Sequence, residues 1–346
     1  MGKPTIRDVA VEARVSLGTA SRVANQHKGV NAEMKRRVER AIKKLSYTPD
    51  ASAQSMRLRS TRTIGILIRD LSSPAFASFA NVAQSMLFKA GYVPLMAGYN
   101  DLAERELEIL RAFAQRRIDG LIVTMSNDTN AEVAQARAAL GIPTLLFDRD
   151  PDLAQDAIAI DHCDGVKQAM RHLFELGHQR IALITGQRRV RPGRERIRGF
   201  KEAYAAAGIT ADPALIRASS FSAEYAFAET TDLLKSRLRP TAIIVGGVNM
   251  LPGALRAIKL AGLAIPDDIS IVGATNAELS ELMTPAITEL RVDYPAMGSA
   301  ASALMLGRLQ GTVDGGPRVL RFETSLIKRE SCAPPPARRR GARPSE

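Results

Sequence analysis

With 346 residues, 45% of them apolar and 24% charged, the chain has the composition of a soluble globular protein and a length suited to two or three domains. No apolar run approaches the ~18 residues of a membrane span; the opening MGKPTIRDVA lacks an apolar export signal, so export is not expected; and Cys163 and Cys332, far apart and without metal-ligand spacing, argue against a disulfide framework. The formal charge of +12 is concentrated at the ends: residues 1–62 hold 14 basic against 5 acidic residues and 331–346 hold 4 against 1, while 63–330 balance at 30 of each.

A basic head on a neutral body is the distribution that polyanion binding at one end requires, because phosphate contacts dominate nucleic-acid affinity; a mere solubilising bias would be spread along the chain. The head reads as three short helices. Thr5-Ile6-Arg7-Asp8 has the form of a capping box, with Ile6, Val9, Ala10 and Ala13 on one face of a helix ending near Arg14. Ser16 caps a second helix through Thr19, Ala20, Val23 and Ala24. Asn31 caps a third, whose inner stripe is Val38, Ala41, Ile42 and Leu45 and whose outer face is basic. This is a helix-turn-helix unit, in which the N-terminal part of the second helix enters the major groove. Leu17, Gly18 and Arg22 are then placed to meet base edges, with Ser16 and Thr19 on phosphates. Arg22 has two readings: a fork on guanine O6 and N7, or a phosphate clamp.

After Tyr47-Thr48-Pro49-Asp50 breaks the third helix, Asp50 can cap a short helix through about Arg57. The segments TIRDVAVEARVSLGTASRVAN and VNAEMKRRVERAIKKLSYTPDASAQSMR together resemble, without gaps from Thr5 to Arg57, the head and hinge of the lactose/galactose repressor (LacI/GalR) family. The resemblance implies a bacterial transcriptional regulator, a repressor by expectation, with DNA contacts from Thr5, Ser16, Leu17, Gly18, Thr19, Ser21, Arg22, Asn25, Asn31, Tyr47, Ala53 and Met56. Met56 stands where relatives carry a leucine that wedges into the minor groove; the competing reading is a plain tether carrying Arg57, Arg59 and Arg62.

From Thr63 the texture changes to near-continuous apolar strands, TIGILI (63–68), DGLIVT (119–124), PTLLF (143–147), RIALIT (180–185), TAIIV (241–245) and ISIVG (269–273), alternating with amphipathic helices such as 75–90 and 250–263. This is a doubly wound α/β core whose pattern restarts near residue 160, giving two parallel-sheet lobes with ligand sites at the strand ends. The resemblance runs on through DLSSPAFASF, IDGLIVT, GHQRIALITG, RIRGF, GALRAIKLAGLAIPDDISIVG and TPAITELR. It implies a core of the periplasmic-binding-protein type I kind. The expected organisation is a head at 1–46, a hinge and linker at 47–62, and a core at 63–330, followed by a disordered basic tail at 331–346. Within the core, lobe 1 takes about 63–161 and 291–323, and lobe 2 about 162–290 and 324–330.

Candidate effector residues are Asp70, Ser73, Phe76, Thr124, Asp148, Arg149, Arg194, Arg196, Phe221 and Thr275. Arg196, in the R-x-x-G-F pattern ending at Phe200, matches the family arginine that holds the effector. Phe76 and Phe221 stack on a ligand ring or simply fill lobe cores. Two carboxylates usual in the family are replaced by Val248 and Thr275, and Arg188, Arg189, Arg191, Arg194 and Arg196 crowd one segment. Either the effector is acidic, such as a sugar acid, or these arginines form a solvated face. His27, His162, His172 and His178 do not cluster as metal ligands, Gly246-Gly247 belongs to no nucleotide loop, and no G-x-S-x-G elbow occurs. No cofactor and no enzyme activity are expected. The implied partners are double-stranded DNA with a pseudo-palindromic operator, a small-molecule effector, and further copies of the chain as a dimer or tetramer, in the cytoplasm and without a membrane. The alternative function is a solute-binding protein, which has no use for residues 1–57.

Overall fold

The computed structural model describes residues 4–25, 29–47, 60–150, 155–237, 239–274 and 277–336. Ala53, Met56 and the expected hinge helix, His27, Thr275 and the basic end of the tail lie outside these residues. The chain divides into two compact units, Met1–Arg62 and Thr63–Glu346.

In the first unit, α1 (Ile6–Ala13), α2 (Leu17–Ala24) and α3 (Ala32–Lys44) begin at caps supplied by Thr5, Ser16 and Asn31. The Thr5 hydroxyl accepts from the Asp8 amide while the Asp8 carboxylate accepts from the Thr5 amide at 2.7 Å. Val9, Ala10, Ala13, Ala20, Val23, Val38 and Ala41 form a small core, ringed by Ile6, Val15, Val30, Ile42, Leu45 and Tyr47. Arg37 ties α3 to the end of α1: its Nε donates to the Ala13 carbonyl at 3.0 Å and its Nη2 to the Arg14 carbonyl at 2.8 Å. These carbonyls have no partner within the helix, so the guanidinium acts as a C-terminal cap as well as a crosslink.

The second unit contains two six-stranded sheets. The first has β1 (Thr63–Ile68), β2 (Val93–Gly98), β3 (Gly120–Val123), β4 (Thr144–Phe147), β5 (Asp156–Ile160) and β11 (Val319–Phe322), in the order β11-β5-β4-β3-β1-β2 and parallel throughout. The second has β6 (Ile181–Thr185), β7 (Ile216–Ala218), β8 (Ala242–Val245), β9 (Ser270–Ala274), β10 (Thr288–Arg291) and β12 (Ser325–Ile327), in the order β12-β10-β9-β8-β6-β7. Its edge pair β10–β12 is antiparallel, a departure from the all-parallel expectation that edge positions tolerate.

The chain passes between sheets after β5, after β10 and after β11. Helices α4 (Pro74–Lys89) and α12 (Tyr294–Gln310) pack together on one face of the first sheet, with α5 (Ala103–Gln115) and α6 (Ala131–Ala138) on the other. Around the second sheet lie α7 (His162–Glu175), α8 (Arg191–Ala206), α9 (Ala223–Lys235) and α10 (Leu251–Leu260); α11 (Ala277–Leu282) follows β9. Both faces being covered explains why the central strands are buried and predominantly apolar. Among the described residues, no helix is long and apolar enough to cross a membrane.

Candidate DNA interface and effector cavity

Helix α2 buries Ala20 and Val23 and turns Leu17, Gly18 and Arg22 outward, with Ser21 half-buried beside them. The Ser16 and Thr19 hydroxyls lie 2.9 Å apart, and Ser16 Oγ also accepts from the Thr19 amide, so both are engaged at the helix start. Thr5 and Asn31 likewise serve as caps. Asn25 donates to the Ser21 carbonyl at 2.6 Å, and Tyr47 packs on the head core. Beside Leu17 a shallow groove is lined by Arg7, Val11 and Arg14, two guanidiniums that the sequence reading did not single out.

At the carboxyl ends of the strands of both sheets lies a cavity of about 80 Å³. At ~10–15 Å³ per water position it has room for about six waters, the size of a small metabolite. From the first sheet it is lined by Arg69, Ser73, Phe76, Thr124, Phe147, Asp148, Arg149 and Ile160; from the second by Pro192, Arg196, Phe221, Gly246, Gly247, Val248, Asn249 and Ala274; and His162 and Tyr294, on the connections, complete it.

The charges in its wall are almost all paired. Asp148 is buried, with backbone in the left-handed region (φ 51). Its Oδ2 lies 2.8 Å from His162 Nε2, and its Oδ1 accepts from Arg191 Nη1 at 3.2 Å and from the Ile160 amide at 3.3 Å. Burial opposes this charge, but His162, Arg191 and Arg149 together hold the carboxyl below its ordinary range. Arg149 is occupied by the Met125 carbonyl at 2.7 Å and the Asp148 carbonyl at 2.8 Å, and its Nε lies 3.3 Å from Asp128. Arg69 is close to Asp70 and Asp101 and stacks on Phe221, 5.4 Å from the ring centroid.

Arg196 differs from these. It is 7% exposed, its one protein hydrogen bond among the described residues is a long 3.4 Å contact from Nη1 to the Pro192 carbonyl, and its guanidinium stands 6.0 Å from the Phe221 ring. No carboxylate of the described residues is within ion-pair distance of it. Burial lowers its pKa and Arg191 adds to this, outweighing the opposing pull of Asp148 and Tyr294.

The description "Bacterial regulatory proteins, lacI family" matches residues 5–50, and "Periplasmic binding protein-like domain" matches 170–332. The HTH-type transcriptional repressor PurR of Aliivibrio fischeri is 32% identical over 332 residues, 95% of this chain and 98% of that protein. The chain belongs to the lacI family. It is a DNA-binding transcriptional repressor of that family, as the PurR proteins it resembles are. PurR of Escherichia coli is 31% identical across 96% of this chain and 98% of its own. Among solved structures, the lac repressor dimer bound to operator and the anti-inducer ONPF aligns with a TM-score of 0.83 at 29% identity, covering 96% of this chain and all of that one. A CelR–cellobiose complex aligns at 0.72 and 28%, covering 95% and 99%.

In the repressor, seven of the ten candidate effector residues line the cavity: Ser73, Phe76, Thr124, Asp148, Arg149, Arg196 and Phe221. Asp70 and Arg194 stand outside the lining. Asp70 accepts from Asn249 Nδ2 at 2.7 Å, bridging the lobes, and Arg194 donates to Asp128 at 2.8 Å and pairs with Asp150. Two of the five clustered arginines are thereby charge-paired, Arg191 and Arg194 with Asp148, Asp150 and Asp128, while Arg189 donates to the Ser126 carbonyl and Arg188 is exposed. Sequence reasoning missed Arg69, His162, Asn249 and Tyr294. It also discounted Gly246-Gly247, which has a steric role. A Cβ at Gly247 would lie 3.2 Å from the Phe221 ring and 2.7 Å from the Met250 sulfur, one at Gly246 would meet Arg196, and one at Gly186 would sit 2.0 Å from the Phe221 ring. These glycines seat the aromatic and the cation.

Proposed function

We propose that this repressor binds a pseudo-palindromic operator as a homodimer, in the cytoplasm, and that a small organic acid bound in the cavity between its lobes sets its affinity for DNA. The observation that carries the effector reading is Arg196, a buried guanidinium that lines the cavity and forms no ion pair among the described residues, the one carboxylate in the wall, Asp148, being bonded to His162 and Arg191. A ligand carboxylate would accept two parallel bonds from it, and the flanking Phe221 would cover an apolar face of the ligand. The relatives support the architecture: one is held in its solved structure as a dimer on operator with a small molecule, and another with cellobiose.

Calorimetric titration of the full-length protein with sugar acids and their neutral parents tests the acid reading. Binding confined to acids, weakened about 100-fold in Arg196→Met, is the expected result, since each hydrogen bond to a charged group contributes about 1.5–3 kcal/mol. Tight binding of neutral sugars alone would overturn it.

On the DNA side, α2 is the reading helix, with Leu17 against a thymine methyl, Arg22 on a guanine, and Arg7 and Arg14 on flanking phosphates. Arg22→Ala is expected to cost about 1–3 kcal/mol of discrimination at one position of each half-site. Competition between operator and scrambled duplexes checks this: a loss equal for both sequences, with a shallower salt dependence, would assign Arg22 to phosphate instead.

A further inference from the structure

We propose that the cavity selects a hydroxy acid, a small carboxylate with a hydroxyl on the adjoining carbon, and that His162 is the residue that reads the hydroxyl. The inference rests on the acid reading of the cavity and adds a second contact to it.

Its basis is the tautomer that Asp148 imposes. An ionised carboxylate only accepts hydrogen bonds, so the 2.8 Å contact from His162 Nε2 to Asp148 Oδ2 places the proton on Nε2. Burial, with Arg196 and Arg191 close by, lowers the pKa of the imidazole against the opposing pull of Asp148 and so favours the neutral ring. In that state Nδ1 carries a lone pair and can only accept. Nδ1 has no donor among the described residues, and it is not one of the buried polar atoms sealed off without a partner. His162 is 4% exposed, and the cavity it lines gives Nδ1 its access to a ligand.

Of the other acceptors in the wall, the Ser73 and Tyr294 hydroxyls and Asn249 Oδ1 accept no bond among the described residues, whereas the carboxylate and the threonine are committed. Asp148 spends both oxygens on His162, Arg191 and the Ile160 amide, and Thr124 Oγ1 shares a bond with Tyr99 Oη at 3.1 Å. The wall therefore sets a donor fork, Arg196, near a fixed acceptor, His162. A carboxylate with a neighbouring hydroxyl satisfies both at once. A 2-deoxy acid leaves Nδ1 unpaired in a buried place, and a neutral polyol leaves the guanidinium uncompensated.

The test is calorimetry on the full-length protein with a panel of three- to six-carbon 2-hydroxy acids, D-gluconate among them, each paired with its 2-deoxy acid and its neutral parent. The expected result is a hydroxy acid that binds at least about tenfold tighter than its deoxy partner. In His162→Leu that ratio should fall to within about twofold, and in His162→Gln it should be restored, because the amide can donate to Asp148 and accept from the ligand. Equal binding of the paired acids, or a ratio that His162→Leu preserves, would overturn the role of His162 while leaving the acid reading intact. Binding of neutral parents only, or of no acid in the panel, would overturn both.

Discussion

Asp148→Asn is expected to destabilise the core by about 3 kcal/mol, which for a unit of this size lowers the melting temperature by roughly 6–12 °C. Asparagine is the informative replacement because position 148 has φ 51, a region that Asn and Asp enter more readily than other side chains, so the loss reports on the charge and not on backbone strain. Without the carboxylate, Arg191 keeps the Ile160 carbonyl at 2.7 Å and the more exposed Asp150, but His162 loses its charged acceptor and two buried groups lose compensation.

The pH dependence has a definite sign. A carboxyl held below its ordinary value contributes stability that is complete above the unfolded value near 3.8 and disappears as the pH falls below it. His162, His172 and His178 are all pushed down by burial, so the unfolded chain takes up their protons first. Stability from keeping them neutral is intact above 6.5 and declines as the pH falls from there. Melting curves between pH 7.5 and 3 would show both declines in the wild type and a smaller lower one in Asp148→Asn, the remainder coming from other carboxyls that are also lowered, Asp70, Glu195 and Glu202 among them. An unchanged lower step would remove Asp148 from the account.

Gly199→Ala should also cost about 3 kcal/mol and, in addition, disturb the cavity. A Cβ there would lie 2.3 Å from the Cys163 carbonyl oxygen, and this neighbour is backbone of α7 that cannot rotate aside. Helix α8 would have to shift away from α7, and Arg196 sits one turn earlier on it. Phe200, fully buried next to Gly199, resists the shift from the other side. The R-x-x-G-F pattern thus joins three requirements on one helix: a cation for the cavity, a bare backbone for close packing and a core ring. A Gly199→Ala protein with wild-type melting temperature and wild-type ligand affinity would contradict this.

The head was legible because its signals are local: Thr5, Ser16 and Asn31 cap the three helices, and the apolar stripes keep helical spacing. The central strands were legible because burial on both faces makes them predominantly apolar. Four of the six strands that escaped notice, β2, β7, β11 and β12, are sheet edges, while β5 and β10 lie inside their sheets and are short and begin on or contain polar residues (Asp156; Thr288 and Glu289). Val93–Gly98 is apolar but half-exposed and interrupted by Pro94, Ile216–Ala218 has three residues, and Val319–Phe322 alternates between exposed and half-buried positions. In the cavity, Arg196 was legible from its motif. The pairing of Asp148 with His162 and Arg191, 14 and 43 residues away, depends on how the lobes meet, and local pattern carries no trace of it. The same long-range pairing takes Arg191 and Arg194 out of the arginine cluster, and with Arg188 and Arg189 exposed it leaves Arg196 as the buried cation facing the ligand.

The central claim, that an acid in the cavity governs operator affinity through Arg196, is tested most directly by fluorescence anisotropy. A labelled fragment of the protein's own promoter region is titrated with the full-length protein, with and without a saturating acid identified by calorimetry. The account predicts salt-sensitive, sequence-specific binding of two protomers whose affinity changes by about tenfold or more with the acid, and no such response in Arg196→Met. Specific binding that a saturating acid leaves unchanged would contradict it.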